Sequence, residues 1–205
     1  MNRILNTMRI AIIGTGNVGT ALGEVWTKAG HEVKYGSRRP DPDAGRVSIA
    51  EAAAFGEVVV LANPWPALEE TLHACGDLSG KTVVDCTNPL RPNLSGLELG
   101  TDTSAAEKVA KLAPGSNVVK AFNTVGANIM SNSHFPQGKA VMFYCGDNEL
   151  SKRTVHELAA AAGFEPIDAG PLTQARVLEP FAMLWISLAY GQGLGREFAF
   201  QLMRR

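Results

Sequence analysis

The segment Gly14-Thr15-Gly16-Asn17-Val18-Gly19 follows directly on the apolar run Arg9-Ile10-Ala11-Ile12-Ile13 and opens a helix-like stretch, Val18 to Ala29. A second strand-like run, His31-Glu32-Val33-Lys34-Tyr35, completes the unit. Strand, glycine turn, helix and strand in this order specify a βαβ crossover, and a crossover demands a parallel sheet. Each glycine has a mechanical role in that arrangement. Gly14 allows the tight turn out of the strand, Gly16 keeps a Cβ out of the space of a pyrophosphate, and Gly19 lets the helix pack closely on the strand. A helix starting near Asn17 aims unpaired N–H groups and the positive end of its dipole at phosphates. The turn thus predicts a dinucleotide held by Gly14, Thr15, Gly16, Asn17, Val18 and Gly19.

The second strand runs into Tyr35-Gly36-Ser37-Arg38-Arg39, at the point where an NAD site usually places an acid for the ribose 2′-hydroxyl. Here a hydroxyl and two guanidiniums stand instead. Planar forked donors of positive charge match the oxygens of a 2′-phosphate. Ser37, Arg38 and Arg39 therefore select NADP(H) as the expected cofactor.

The rest of the chain continues the alternation of strands and helices, the pattern of a parallel sheet with crossover helices on its faces. Ser48-Ile49-Ala50-Glu51 has capping-box spacing before a short alanine-rich helix. Strands are predicted at Glu57–Leu61, Lys81–Asp85 and Asn117–Ala121, with helices over Pro64–Ala74 and Ser104–Leu112. Beyond Gly138 come a strand at Lys139–Tyr144, a helix over Glu149–Ala162 and a short strand at Phe164–Asp168, which Pro166 assigns to a sheet edge. Leu172 to Met203 is predicted to be largely helical, interrupted near Pro180 and Gly191–Gly195. The expectation is one α/β domain over residues 1–205, a Rossmann-type, doubly wound, mostly parallel sheet. Residues 139–205 form a small C-terminal α/β extension of it, and residues 1–7 a loose leading extension.

A chain of 205 residues suits one sizeable α/β domain. Its 19 basic against 20 acidic residues give no excess of charge for nucleic acid. No segment is long and apolar enough to cross a membrane, and Met1 to Thr7 lacks a signal-peptide pattern. Cys75, Cys86 and Cys145 are widely spaced and form no CxxC pair, so buried thiols in a reducing cytoplasm are expected, with no metal site.

In open parallel sheets ligands lie beyond the carboxyl ends of the strands. Those ends carry Ala62-Asn63-Pro64-Trp65 after the third strand, Thr87-Asn88-Pro89 after the fourth and Asn123-Thr124 after the fifth. Amides donate and accept together, which suits the ribose hydroxyls and carboxamide of a nicotinamide nucleotide. Asn63 and Asn88 also start Asn-Pro turns, a sufficient local reason for asparagine. Ala62, Asn63, Pro64, Trp65, Asn88 and Asn123 complete the predicted cofactor site. No His or Lys follows any of the first four strands, so no catalytic acid or base is assigned. His134 is the one histidine placed to approach the site, and Lys120 fits a structural role within the fifth strand. Such a rim suits hydride transfer between two cofactors, where the acceptor ring stores the electrons.

The chain resembles the deazaflavin (coenzyme factor 420)-dependent NADP oxidoreductases and the related reductase domain of the STEAP ferric reductases. The resemblance runs from Met8 to Phe200, through Gly14 to Gly19, Gly36-Ser37-Arg38-Arg39, Asn63-Pro64-Trp65 and Thr103-Ser104-Ala105-Ala106-Glu107. It continues through Lys120-Ala121-Phe122-Asn123-Thr124, Cys145-Gly146-Asp147 and Asp168-Ala169-Gly170-Pro171-Leu172. It implies a flavin-like ring stacked on the nicotinamide, walled in part by the C-terminal helix and Gly191-Gln192-Gly193-Leu194-Gly195. Thr15 to Val18 would hold the pyrophosphate, Ser37, Arg38 and Arg39 the 2′-phosphate, and Ala62 to Trp65 the nicotinamide ribose.

Two departures qualify it. Pro40, Asp41 and Pro42 stand where deazaflavin-dependent members carry another basic residue. The segment Ala121 to Thr124 is closer to the STEAP type, which leaves FAD or FMN open beside deazaflavin as the second redox partner. The resemblance also favours a homodimer. Two other readings stand beside this one: an NADPH-dependent reductase of imines of the pyrroline-carboxylate type, for which 205 residues leave little room, and a non-catalytic NADP-sensing domain.

Overall fold

The computed structural model describes residues 7–205; the expected leading extension, for residues 1–6, lies outside them. Eight strands form one sheet in the order β3-β2-β1-β4-β5-β6-β7-β8. They are β1 (Arg9–Ile13), β2 (Glu32–Ser37), β3 (Arg46–Ser48), β4 (Val58–Leu61), β5 (Thr82–Asp85), β6 (Asn117–Lys120), β7 (Val141–Gly146) and β8 (Glu165–Asp168). Neighbours pair in parallel except β6 with β7, which pair antiparallel. The Rossmann-type, mostly parallel architecture expected from the alternation is the one observed, and β8 with Pro166 is an edge strand.

Period-two alternation along the central strands builds a core on each face. Ile10 and Ile12 of β1 and Val58 and Val60 of β4 point to one side. There they meet Trp26 of α1 (Asn17–Lys28), Ile129 of α5 (Ala127–Ser131) and Leu158 of α6 (Glu149–Ala161). Ala11, Ile13, Val59 and Leu61 point to the other, against α2 (Ile49–Phe55), α3 (Leu68–Cys75), α4 (Ala105–Leu112) and α7 (Ala175–Ile186). Cys75, Cys86 and Cys145 are free, buried thiols. Burial pushes those of Cys75 and Cys145 up to about 11 and about 12.

Three features differ from the sequence expectation. The strand Arg46–Ser48 and the helix Ala127–Ser131 were not anticipated, because three and five residues are too short for a periodic signal. Pro180 does not interrupt α7. Its ring is exposed, so it costs one backbone hydrogen bond, while Leu178, Glu179, Ala182, Trp185 and Ile186 bury the other side of the helix. The helix instead gives way to a π turn at Ser187–Gly191, and residues 192–205 are not helical. Gly193 and Gly195 adopt φ of 72° and 74°, which ends helical continuation. The tail is tied down by Trp185, which stacks on Phe198 at 5.2 Å and donates from Nε1 to its carbonyl at 3.1 Å.

The two distinctive C-terminal motifs knit the outer strands. Asp147 accepts from Leu172 N at 2.9 Å, Asp168 from Gly170 N at 2.8 Å, and Gly146 N donates to Gly170 O at 3.1 Å.

A buried ion cluster joins this C-terminal half to the central sheet. Lys120, opposite Asp85 in the β5–β6 register, is fully buried. Its Nζ donates to Asp85 Oδ2 at 2.9 Å, to Glu179 Oε1 at 2.9 Å and to the carbonyl of Thr87. Glu179 in turn accepts from Ala105 N at 3.0 Å and Ala106 N at 3.3 Å, closing the N-terminus of α4. Asp85 Oδ1 accepts from the amide and hydroxyl of Thr87 at 2.9 and 2.7 Å. Burial works against the Lys120 charge, but the two carboxylates outweigh it and hold its ammonium above the usual lysine range. Burial raises the Glu179 carboxyl above the usual carboxylate range, with Lys120 opposing the shift.

Lys120→Met would strand two buried carboxylates, and we expect it to lower unfolding free energy by about 3–5 kcal/mol at neutral pH. Lys120 opposes the rise of the Glu179 carboxyl, so its removal lets that rise grow; a carboxyl raised in the folded state binds its proton more tightly folded than unfolded, and stability rises as pH falls through that window. Urea unfolding should therefore show a smaller penalty at pH 5 than at pH 7.5. A penalty equal at both values would contradict the stranded-charge explanation.

Candidate functional site

The chain builds β1, β2 and β3 toward one edge and β4 onward toward the other, so the strand order reverses between β1 and β4. Crossovers leave opposite faces there, and a crevice opens beyond the carboxyl ends of the strands. A cavity of about 1060 Å³ lies at this point. Gly14, Thr15, Gly16, Asn17, Val18, Ser37, Arg38, Arg39, Ala62, Asn63, Pro64, Trp65 and Asn88 all line it. Segments as far apart in sequence as the first glycine turn and the loop after β5 thus share one surface.

Gly19 and Asn123 do not line the cavity. Gly19 faces the strand: a Cβ there would stand 2.0 Å from Gly14 O, so its place is taken by backbone. Asn123, expected on the rim, is buried beneath it. Its Nδ2 donates to Asn88 Oδ1 at 3.1 Å and to Leu178 O at 3.2 Å, while Asn88 Nδ2 donates to Asn123 O at 3.0 Å. Asn123 thereby braces Asn88, and through Leu178 it ties the rim to α7.

The glycine turn has the geometry its sequence requires. Gly14 has φ of 117° and lies so close to the end of β4 that a Cβ would be 2.6 Å from Ala62 O. A Cβ on Gly16, by contrast, would meet no protein atom within 4 Å. The protein's own packing does not need this glycine; the room beside it belongs to the cavity. Gly16 is also the N-cap of α1, with no side-chain cap and no acidic residue in the first turn. The first-turn amides and the positive end of the helix dipole are therefore left without a counter-charge of the chain's own.

Around this turn the polar groups are partly unmatched. Ser37 Oγ accepts from Arg39 N at 3.1 Å, which turns the chain at the end of β2. Asn63 donates to Pro64 O at 3.0 Å, but its Oδ1 is buried with no partner among the described residues. Trp65 Nε1 donates to Glu98 Oε2 at 2.6 Å, and Lys108 Nζ lies 5.3 Å from the centre of its ring. An open glycine, a bare helix N-terminus, two guanidiniums and an orphaned amide oxygen fit a nucleotide with phosphates and ribose hydroxyls.

Sequence reasoning missed Arg46, Thr71, Cys86 and Leu90, which also line the cavity, as does Thr87, read above at a strand end but not assigned to the cofactor. Arg46 and Thr71 sit on elements whose relation to the rim depends on the packing of β3 and α3. Cys86 directly follows β5, and listing strand ends residue by residue would have found it. Burial, with Asp85 adding to it, pushes the Cys86 thiol far above its ordinary value, so it stays protonated. Among the described residues, those lining the cavity include no His, Lys, Tyr, Asp or Glu. His134, the one candidate histidine, is on an exposed loop outside it, and Lys120 is engaged in the buried cluster. No helix among the described residues is long and apolar enough to cross a membrane.

Residues 9–89, which hold the glycine turn and most of the rim, match the family model for coenzyme F420-dependent NADP oxidoreductases. The chain is 33% identical over 178 residues to rat metalloreductase STEAP3, covering 83% of itself but 36% of that protein, so it spans about a third of this relative. With the F420-dependent NADP reductase of Methanothermobacter marburgensis it shares 31% identity over 207 residues, 88% of this chain and 92% of the other. A solved structure from Arthrobacter sp. FB24, assigned as an F420-dependent NADP reductase, superposes with a TM-score of 0.87 at 30% identity, covering 96% of this chain and all of that one. The switch-point cavity, its glycine turn and these end-to-end similarities agree: the chain is an oxidoreductase and belongs to the F420-dependent NADP oxidoreductase family.

Proposed function

We propose that the protein transfers hydride between NADPH and a flavin-type ring, deazaflavin first and FAD or FMN second. The observation that carries this reading is a cavity whose glycine turn and guanidiniums suit a phosphorylated dinucleotide and which, among the described residues, is lined by no His, Lys, Tyr, Asp or Glu. Bound NADPH supplies the hydride, and a flavin-type ring takes it up without needing a protein proton donor at the same instant. The chain's part is to hold and to exclude. The N-terminus of α1, with Gly14, Thr15, Gly16, Asn17 and Val18, holds the pyrophosphate, and Gly19 keeps that helix against β1. Ser37, Arg38 and Arg39 hold the 2′-phosphate. Ala62, Pro64 and Trp65 border the nicotinamide ribose, and Asn63 Oδ1 is free to accept from one of its hydroxyls. Asn88, braced by Asn123, presents its amide toward the nicotinamide end.

The names of the relatives support the deazaflavin, since proteins matching nearly the whole chain are F420-dependent NADP reductases. Exposed Val177 and Leu184 on α7 support a homodimer. Three free, buried thiols support a reducing, cytoplasmic setting.

Three measurements test the reading. Purified protein should oxidise NADPH in the presence of a deazaflavin or flavin, followed at the nicotinamide absorbance. Tight NADPH binding with no turnover on any such ring would favour a sensing domain instead. Replacing Arg38 and Arg39 by Ala should weaken NADPH by roughly 1.5–3 kcal/mol per contact while sparing NADH. Equal losses for the two nucleotides would refute the 2′-phosphate assignment. Finally, Gly16→Val should abolish nucleotide binding yet leave the far-UV spectrum and unfolding midpoint near those of the parent protein, because the added atoms occupy the cavity and not the core.

A further inference from the structure

Arg46 opens β3, well beyond Ser37-Arg38-Arg39 in sequence, yet it lines the same cavity as they do. The intervening turn brings it there. Asp41 N donates to Arg46 O at 2.8 Å and Arg46 N to Asp41 O at 2.9 Å, closing the chain around a 3-10 turn at Pro42–Ala44 with Gly45 at φ of 67°. Pairing of β3 with β2 then sets Arg46 opposite Tyr35 and Ser48 opposite Ser37. Within the guanidinium, Nη2 donates to Asp41 Oδ2 at 2.7 Å, while Nε is buried and has no acceptor among the described residues. An ion pair kept only for stability at a half-exposed site contributes little, and a shielded donor without an acceptor detracts from that.

Charge balance gives the arrangement a purpose. A phosphate monoester carries close to two negative charges and three accepting oxygens. Arg38, Arg39 and Arg46 line the cavity together, so three guanidiniums can face such a group, against Asp41, which pairs with Arg46, and Asp43 in the turn between them. Asp41 also holds Arg46 in one orientation.

We propose that Arg46 is a specificity residue for the nucleotide 2′-phosphate, a third guanidinium oriented by Asp41 and joining Arg38 and Arg39 from the neighbouring strand. This rests on the NADP reading of the cavity. Lysine cannot reproduce it, because an ammonium supplies a point charge without the planar fork.

The test is nucleotide binding to the full chain, with NADPH and NADH as probes and nicotinamide fluorescence as the readout. Arg46→Met should weaken NADPH about tenfold or more, the loss of one charge-assisted contact, and change NADH by less than twofold. Arg46→Lys should fall between the parent protein and Arg46→Met, and it carries the test should the methionine variant fail to fold. If both variants bind NADPH as the parent does, or lose NADPH and NADH equally, Arg46 has no such role. If the parent protein itself does not prefer NADPH to NADH, the NADP reading fails and takes this proposal with it, so the two failures are distinct.

Discussion

Lys120 stands at the centre of the strand-end architecture because it is a full charge with no water around it. Its ammonium is neutralised by Asp85 from the adjacent strand and Glu179 from the C-terminal helix, and it also bonds the Thr87 carbonyl. Such a cluster contributes little net stability against an apolar equivalent of the same shape, since desolvation offsets much of the attraction. What it imposes is uniqueness of arrangement. Any displacement of α7 along the sheet would leave Glu179 or Lys120 buried without a partner, and α4 without the carboxylate that closes its first turn. The loop after β5, which carries Thr87 and Asn88 onto the rim, is held by the same groups. The C-terminal half of the chain is thereby joined to the rim of the cavity.

At the other side of the cavity, the constraint is steric. The turn after β1, the start of α1 and the end of β4 approach so closely that a Cβ on Gly14 or Gly19 would strike backbone. Gly16, a few atoms away, has open space. Close contact at two glycines and vacancy at the third separate the parts of the turn that hold the fold from the part that faces a ligand. The buried cluster and the glycine contacts position opposite walls of one cavity, which among the described residues is lined by no His, Lys, Tyr, Asp or Glu. A site of this kind works by placement and electrostatics, which agrees with membership in a family of NADP oxidoreductases.

Much of this was legible in the sequence. The glycine turn, the apolar alternation and the Asn-Pro strand ends are local signals, and thirteen of the fifteen residues assigned to the cofactor site line the cavity. The exceptions follow from geometry that sequence spacing does not carry. Gly19 is a packing position, and Asn123 follows Phe122, whose φ of 58° turns the chain at the end of β6; its side chain lies inward, under Asn88. Arg46 was invisible for the opposite reason. A three-residue strand has too few positions to show periodicity, so nothing marked it as part of the sheet. The C-terminal segment misled because helix formers continue past Ile186, whereas glycines at left-handed φ and the stacking of Phe198 on Trp185 carry the tail elsewhere.

The sequence by itself determined the parallel α/β layering, the position of the glycine turn and the charge at the end of β2. Each depends on residues within one turn or one strand of each other, where sterics and hydrogen bonding act locally. Only the tertiary structure decided which strand ends share a cavity, that Lys120 is enclosed by two carboxylates from distant segments, and that Arg46 lines the same cavity as Arg38 and Arg39. Those outcomes depend on strand order and on desolvation, and both are properties of the packed sheet.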